Sequence, residues 1–365
     1  MRLMPFVCAA VQSLSLSFAF AAFLLIAMHG AANAVPGDTI YAKPGQLVST
    51  SDGTRLNFYC MGRGSPAVIF DAAEGDWSPA WATVQPQVAK WTRACSYDRA
   101  GLGFSGPGPM PRTTERYARE LHSALHNAGI QGPYILVGHA TGAYPARTFA
   151  DKYLPEVAGL VLIEGDARDV ETSADLAEIW RAINARNLAE LRMCRDRVVK
   201  GEPLPMPPPP DHPGWMCDDY FYRGLPEKIF SPELNARLLQ IAATKIAAYD
   251  TLISGVEQRL SDDSYLKEHR TSLGSRPLRI ITADHHISDT PSTPVARHLE
   301  HVRFNTERKL FQSRLLDLSS NAKQILTQTG PYVQFDRPDI VIAAIREVYD
   351  QSKLRLPESR EHAPQ

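Results

Sequence analysis

Short strand-like segments alternate with helical patterns along most of this chain, and this alternation restricts the possible folds more than any other feature. Several of the segments are continuously apolar, as expected for strands buried on both faces of a sheet. The predicted strands lie at residues 56–60, 67–70, 94–97, 134–137, 160–163, 278–281 and 323–326. Helical spacing marks residues 114–127 and the segment that begins at Pro338. This order predicts an α/β domain with a mostly parallel sheet covered on both sides.

The segment from about residue 167 to residue 275 breaks this alternation. Helical patterns at 176–199 and 233–260 flank a proline-rich loop at 203–213, and a helical insertion between two sheet strands is typical of a lid. The predicted organisation is a core at 35–166, a lid at 167–275, a second core part at 276–352 and a disordered tail at 353–365.

The first 34 residues resemble a secretory signal peptide. A positive start is followed by an apolar run at 14–28, and Ala32-Asn33-Ala34 fits the small-x-small cleavage rule, so Val35 is the expected mature start. The alternative is an uncleaved N-terminal anchor, although the run is short for a membrane span. After cleavage we expect a periplasmic or secreted protein without stable membrane insertion.

Charge and metal-ligand patterns exclude some functions. The chain has 39 Lys+Arg against 40 Asp+Glu, so no basic excess exists to bind nucleic acid. There is no C-x-x-C motif, and the H-x-x-x-H pair His122 and His126 lacks the glutamate of H-E-x-x-H. We therefore expect two ordinary surface histidines there, no metal site and no cofactor.

Four cysteines follow the predicted cleavage site: Cys60, Cys95, Cys194 and Cys217. An even number in an oxidising compartment is compatible with two disulfides, and four cysteines allow three connectivities. Cys194 and Cys217 bracket the proline-rich loop. A bridge between them would contribute roughly 3 kcal/mol, and the alternative is two free thiols.

Four ordered segments, each at a strand end, carry a family resemblance. Residues 138–142 (Gly-His-Ala-Thr-Gly) have the context of the G-x-S-x-G nucleophile elbow. Residues 97–105 resemble the Y-D-x-x-G-x-G-x-S segment of α/β-hydrolases. Residues 71–75 resemble the oxyanion loop of those proteins, and residues 330–338 resemble the stretch that carries their catalytic histidine.

From about residue 45 to residue 350, the chain resembles α/β-hydrolases of the esterase and lipase type. The resemblance implies an α/β-hydrolase fold, with a mostly parallel eight-stranded sheet flanked by helices and a helical lid insertion. In that fold the second and fourth strands are neighbours, which makes a Cys60–Cys95 bridge plausible.

The chain departs from the family at the catalytic positions. Ala140 stands in the nucleophile position and has no oxygen, while Pro331 stands in the base position and cannot carry a proton. Thr141 is expected to offer its backbone N–H to the oxyanion rather than to replace the serine. Glu164, after the sixth strand, and Asp284, after the seventh, are the candidate acids; the alternative for each is a solvated carboxylate.

Other polar residues are expected near the pocket. Glu74 in the oxyanion loop would repel negative charge if ionised, or would simply point to water. His139 is expected to be packed and hydrogen-bonded inside the elbow. Arg99 is expected to support the loop, and His285 and His286 to be loop residues at the rim.

Three hypotheses follow. The first is a pseudoenzyme that keeps the pocket and binds a small apolar or ester-like ligand. The second is a serine hydrolase of esters or amides seen in mutated form. The third is an enzyme that uses Glu74, His139 or His286 for different chemistry. Two losses in one triad favour natural degeneracy and the first hypothesis.

Overall fold

The protein is described here by a computed structural model, which covers residues 35–166, 174–202, 217, 229–284 and 295–354. The predicted signal segment, the proline-rich loop, His285, His286 and the predicted tail beyond residue 354 lie outside these residues.

The core is an eight-stranded sheet with the order β1-β2-β4-β3-β5-β6-β7-β8. Pairing is antiparallel between β1 and β2 and between β2 and β4, and parallel from β4 to β8. The strands are β1 Gln46–Ser49, β2 Arg55–Met61, β3 Ala67–Asp71, β4 Ala94–Asp98, β5 Tyr134–His139, β6 Val157–Ile163, β7 Leu278–Ala283 and β8 Ala322–Thr327. Strand β1 was not predicted, because it is a short edge strand in which only Val48 is buried.

Helices cover both faces of the sheet. They are α1 Gln85–Val88, α2 Thr114–Asn127, α3 Ala143–Lys152, α4 Ala174–Val199, α5 Pro232–Thr244, α6 Ile246–Glu268, α7 Val295–Ser313, α8 Val333–Asp336 and α9 Pro338–Lys353. The helical pattern at 233–260 belongs to two helices, because the chain leaves helical geometry at Lys245 and α6 continues to Glu268. No helix in the described ranges combines the length and apolar content needed to cross a bilayer.

The sheet is buried on both faces, as its apolar strands predict. In β3, Ile69 packs on the face covered by α2, α3 and α7, whereas Val68 and Phe70 pack on the face covered by α1 and α9. Helices α4, α5 and α6, here called the insertion helices, follow β6 in the chain and precede β7. Their apolar residues share a third cluster with Tyr41 and Tyr59 of the core.

Both expected disulfides are present. Cys60 and Cys95 lie directly opposite each other on β2 and β4, with their Cα atoms 4.1 Å apart. Cys194 on α4 is bonded to Cys217, with 5.5 Å between the Cα atoms. The second bridge fixes Cys217 to helix α4.

Reduction should destabilise the protein. Each bridge is expected to contribute about 3–4 kcal/mol by constraining the unfolded chain, so a reductant should lower the melting temperature. The double variants Cys60→Ala/Cys95→Ala and Cys194→Ala/Cys217→Ala separate the two contributions. An unchanged melting temperature, together with four titratable thiols in the denatured mature chain, would rule the bridges out.

Candidate active site

The turn between β5 and α3 has the geometry of a nucleophile elbow. Ala140 begins the turn with φ of 47°, a left-handed conformation that costs a non-glycine residue roughly 1–2 kcal/mol. A Cβ atom at Gly142 would lie 2.5 Å from the carbonyl oxygen of Asp71, and one at Gly138 would lie 2.5 Å from that of Gly142. The two flanking glycines are therefore required by backbone contacts, and the strained residue between them carries only a methyl group.

His139 is held beneath the elbow rather than presented to solvent. Its Nε2 lies 3.0 Å from the carbonyl oxygen of Pro331, and its Nδ1 lies 3.2 Å from Nε2 of Gln334. A carbonyl only accepts, so Nε2 carries the proton and Nδ1 accepts from the amide. The side chain is 1% exposed, which fits the structural role expected for this histidine.

The position expected for the catalytic histidine is occupied by Pro331, whose carbonyl oxygen accepts the hydrogen bond from Nε2–H of His139. The next residue, Tyr332, donates its hydroxyl to Asp76 at 3.1 Å. Burial raises the pKa of Asp76 to about 7. This buried polar cluster had no signal in the sequence.

Glu164, the first candidate acid, is fully buried and is bound by a cation. Its Oε2 accepts from Nε of Arg308 at 3.0 Å, and its Oε1 accepts from the backbone N–H of Ala283 at 2.8 Å. Arg308 also donates to the Glu164 carbonyl oxygen at 2.7 Å. The carboxylate therefore ties the ends of β6 and β7 to helix α7.

Asp284, the second candidate acid, forms an ion pair with Lys309 of helix α7. Both side chains of this pair are about one-third exposed. Each of the two candidate acids, Glu164 and Asp284, is therefore paired with a cation, whereas the sequence also allowed a solvated carboxylate at each position. The cations of α7 were missed because that segment carries no family motif.

The loop after β3 is held by buried charges, and Arg99 supports it as expected. Nε of Arg99 donates to Asp71 at 2.8 Å, and its Nη2 donates to the carbonyl oxygen of Ala72 at 2.5 Å. Asp98 accepts from both the backbone and the hydroxyl of Ser78, at 3.1 and 2.6 Å. The aspartate and arginine of the 97–105 motif thus shape the oxyanion-loop region.

Glu74, in that loop, pairs with a buried arginine of helix α6. Nη2 of Arg259 lies 2.6 Å from Oε1 of Glu74, and the guanidinium lies over the ring of Tyr144 at 5.3 Å. Burial alone would lower the pKa of Arg259, but Glu74 and the nearby ionisable residues outweigh burial and raise it. Glu74 is therefore neutralised by an ion pair, an arrangement that the sequence did not predict.

Helix α6 approaches the core closely at Gly101. A Cβ atom there would lie 1.9 Å from Oγ1 of Thr251 and 2.9 Å from the carbonyl oxygen of Ala247. Further along the same helix, Ser254 and Asp262 accept from the backbone N–H groups of Arg112 and Thr114 at 2.9 and 3.0 Å. The insertion is thus bonded to the core along most of α6.

A cavity of about 30 Å³ lies between α6 and the elbow, enough for about two water molecules. Its lining combines Glu74, Thr141 and Tyr144 of the core with Arg259 and Asp262 of α6. Oγ1 of Thr141 and Nε of Arg259 are buried and have no hydrogen-bond partner among the described residues.

Strand order, elbow and insertion together define a protein of the α/β-hydrolase class. A family model described as "Alpha/beta hydrolase family" matches residues 63–344. The chain belongs to this family.

The chain is also similar in sequence to part of a curated bacterial protein. The Bacillus subtilis protein YqjL is 31% identical over 127 residues, which cover 35% of this chain and 50% of that protein. The chain spans half or less of the length of the curated relatives it matches.

Solved structures show the same fold at low identity. An esterase from Thermogutta terrifontis has a TM-score of 0.54 and 19% identity, over 84% of this chain and 98% of that one. An enol-lactonase from Burkholderia xenovorans has a TM-score of 0.55 and 17% identity, over 84% and 100%.

The two acid–cation pairs should differ in their effect on stability. Arg308→Met leaves the carboxylate of Glu164 buried without its cation, so we expect a loss of about 3–5 kcal/mol in the free energy of unfolding. Lys309→Met is the matched control, because its partly exposed pair should contribute at most about 1 kcal/mol. Urea denaturation measures both, and equal small losses would contradict the buried role of Glu164.

Proposed function

We propose that this protein is an exported member of the alpha/beta hydrolase family that binds a small molecule in the cavity under α6 and does not act as a serine hydrolase. One observation carries the proposal: at the elbow, the strained left-handed residue is Ala140. The turn that would present an attacking oxygen is kept, together with its conformational cost, but the side chain ends at a methyl group.

The residues around the elbow support the same proposal. Pro331 accepts a hydrogen bond through its carbonyl, while Glu164 and Asp284 are bound to Arg308 and Lys309. A catalytic acid must orient a histidine, whereas these carboxylates bind cations of helix α7.

Different chemistry in the same pocket is the less favoured candidate. Glu74 would have to give up its ion pair with Arg259 to act as a base, and His139 is buried against Pro331 and Gln334. His286 lies outside the described residues, so its part in any catalysis is tested by mutation.

Export rests on two observations of different kinds. Residues 1–34 have the pattern of a signal peptide. The two disulfides suit an oxidising compartment such as the periplasm or the extracellular medium.

The cavity favours a ligand that presents a carboxylate. Arg259 and Thr141 line the same space, and each has a buried donor atom, Nε and Oγ1, without a hydrogen-bond partner among the described residues. Both groups can donate to an anionic oxygen. Such a ligand would replace Glu74 as the counter-ion of the guanidinium. Since the cavity holds only about two waters, binding of a larger ligand would require α6 or Glu74 to move.

Restoring the triad in steps tests the loss of serine chemistry. We expect no labelling of the unmodified protein by a fluorophosphonate probe and at most weak turnover of p-nitrophenyl esters. Ala140→Ser alone should recover little, because it has no general base. Ala140→Ser/Pro331→His should exceed it by about 100-fold or more in kcat/KM, and Pro331→His alone is the matched control.

Two outcomes would overturn the proposal. Full activity of Ala140→Ser alone would show that the base is not at position 331 and would favour a serine hydrolase. Substantial esterase activity in the unmodified chain, abolished by Glu74→Gln or His286→Ala, would favour different chemistry.

The ligand class is tested with small aliphatic and aromatic carboxylic acids, each compared with its primary amide in thermal-shift measurements. We expect at least one acid to raise the melting temperature more than its amide, because a ligand at 100 times its Kd stabilises by about 2.7 kcal/mol. Arg259→Met should remove the shift. Arg237→Met should keep it, because Arg237 binds Ala42 and Gln240 and does not line the cavity.

Thr141→Val provides a second variant that leaves the Glu74–Arg259 pair intact, and it should weaken the shift without unfolding the protein. Preference for amines over acids, or a shift that survives both Arg259→Met and Thr141→Val, would show that the ligand class is wrong.

A further inference from the structure

A cluster of two histidines and one glutamate lies at the opposite end of the sheet from the elbow. His122 and His126 are four residues apart on α2, so they share one helix face. Glu156 ends the short helical turn Leu154–Glu156, immediately before β6 begins at Val157. The elbow follows the carboxyl end of β5, whereas this cluster lies at the amino end of the neighbouring β6.

Three potential metal ligands converge at this point. Nε2 of His122 lies 2.8 Å from Oε1 of Glu156, and Nε2 of His126 lies 3.1 Å from Oε2. One ligand atom from each of the three side chains lies within 4.8 Å of the other two. The sequence expectation of ordinary surface histidines rested on the missing H-E-x-x-H motif, but the third ligand comes from a residue 30 positions after His126.

We propose that His122, His126 and Glu156 form a binding site for a divalent transition-metal ion of the zinc type. Two imidazoles and one carboxylate are ligands that zinc accepts, and a water molecule would complete a tetrahedral set. The proposal is independent of the function proposed for the cavity.

The His–Glu distances are close to those that hold an ion. Tetrahedral bonds of about 2.0–2.1 Å place neighbouring ligand atoms about 3.3–3.4 Å apart. The two His–Glu contacts, at 2.8 and 3.1 Å, are shorter than this spacing by about 0.2–0.6 Å, so the carboxylate must move back slightly. Both imidazoles must carry their proton on Nδ1, which leaves the lone pair of Nε2 for the metal.

The surroundings orient the ligands and leave room for the ion. The ring of His122 stacks on Tyr153, with 3.7 Å between centroids and 3° between planes. The side chains of His122, His126 and Glu156 are 23%, 55% and 31% exposed, so an ion and its water can approach from solvent. Burial alone would raise the pKa of Glu156, but the two histidines outweigh burial and lower it.

A bound ion would connect α2 to the start of β6. These elements are otherwise linked here by the His–Glu hydrogen bonds and by the packing of His122 against Tyr153. Because the ion would bind the folded chain and not the unfolded one, it would raise stability in proportion to its affinity.

The test uses the full mature chain, stripped with EDTA and titrated with Zn²⁺ by isothermal calorimetry and thermal shift. We expect one tight equivalent and a rise in the melting temperature. His126→Gln and Glu156→Gln should each weaken binding by about 10-fold or more. Affinity should also fall in acidic solution, because protonated imidazole does not bind metal.

His269→Gln is the matched control. His269 is an exposed histidine stacked on Tyr265 at the end of α6, outside the cluster, and its loss should leave the tight equivalent unchanged. Because His126 is more than half exposed, His126→Gln should retain the metal-free melting temperature, which separates loss of binding from misfolding. No tight equivalent, or one that persists in both His126→Gln and Glu156→Gln, would refute the site.

Discussion

The structure around the site depends on one backbone constraint, the left-handed turn at Ala140. The turn is possible because Gly138 and Gly142 allow the chain to pass against its own carbonyl groups and those of β3. The left-handed conformation costs a non-glycine residue free energy, and Ala140 adopts it with only a methyl side chain. The same turn places Thr141 beside the cavity.

Charged pairs organise the rest of the pocket. Arg99 fixes the loop after β3 through Asp71, Arg308 joins the ends of β6 and β7 through Glu164, and Arg259 joins the insertion to Glu74. All three guanidinium groups are buried, where an unpaired charge would be strongly unfavourable. The carboxyl ends of the central strands are thus organised around arginine–carboxylate pairs that hold loops and helices in place.

The sequence predicted the architecture well, because periodicity and ordered motifs report directly on burial. Helix α2 has the predicted bounds, and the central strands agree to within a few residues. Strand β1 was missed because an edge strand buries little, and the break at Lys245 was missed because apolar spacing continues across it.

The site was only partly accessible from sequence. Motif positions identified Ala140 and Pro331, but partners such as Arg259, Arg308 and Lys309 lie more than a hundred residues from the elbow and belong to no motif. Glu156 shows the same limit, because the contact between α2 and the start of β6 exists only in the folded chain. Ion pairs between residues that are distant in the sequence leave no local sequence pattern from which they could be predicted.

The missing side chain at Gly101 has a consequence for the exchange of parts between family members. The separation of the insertion from the core is set by a residue of the core, because Thr251 and Ala247 occupy the space that a Cβ atom would need. If an insertion of this type were transplanted onto a core with a larger residue at this point, α6 would be held further from the core. A larger residue in the core loop would therefore require a compensating change in α6, so the dimensions of the cavity depend on both parts.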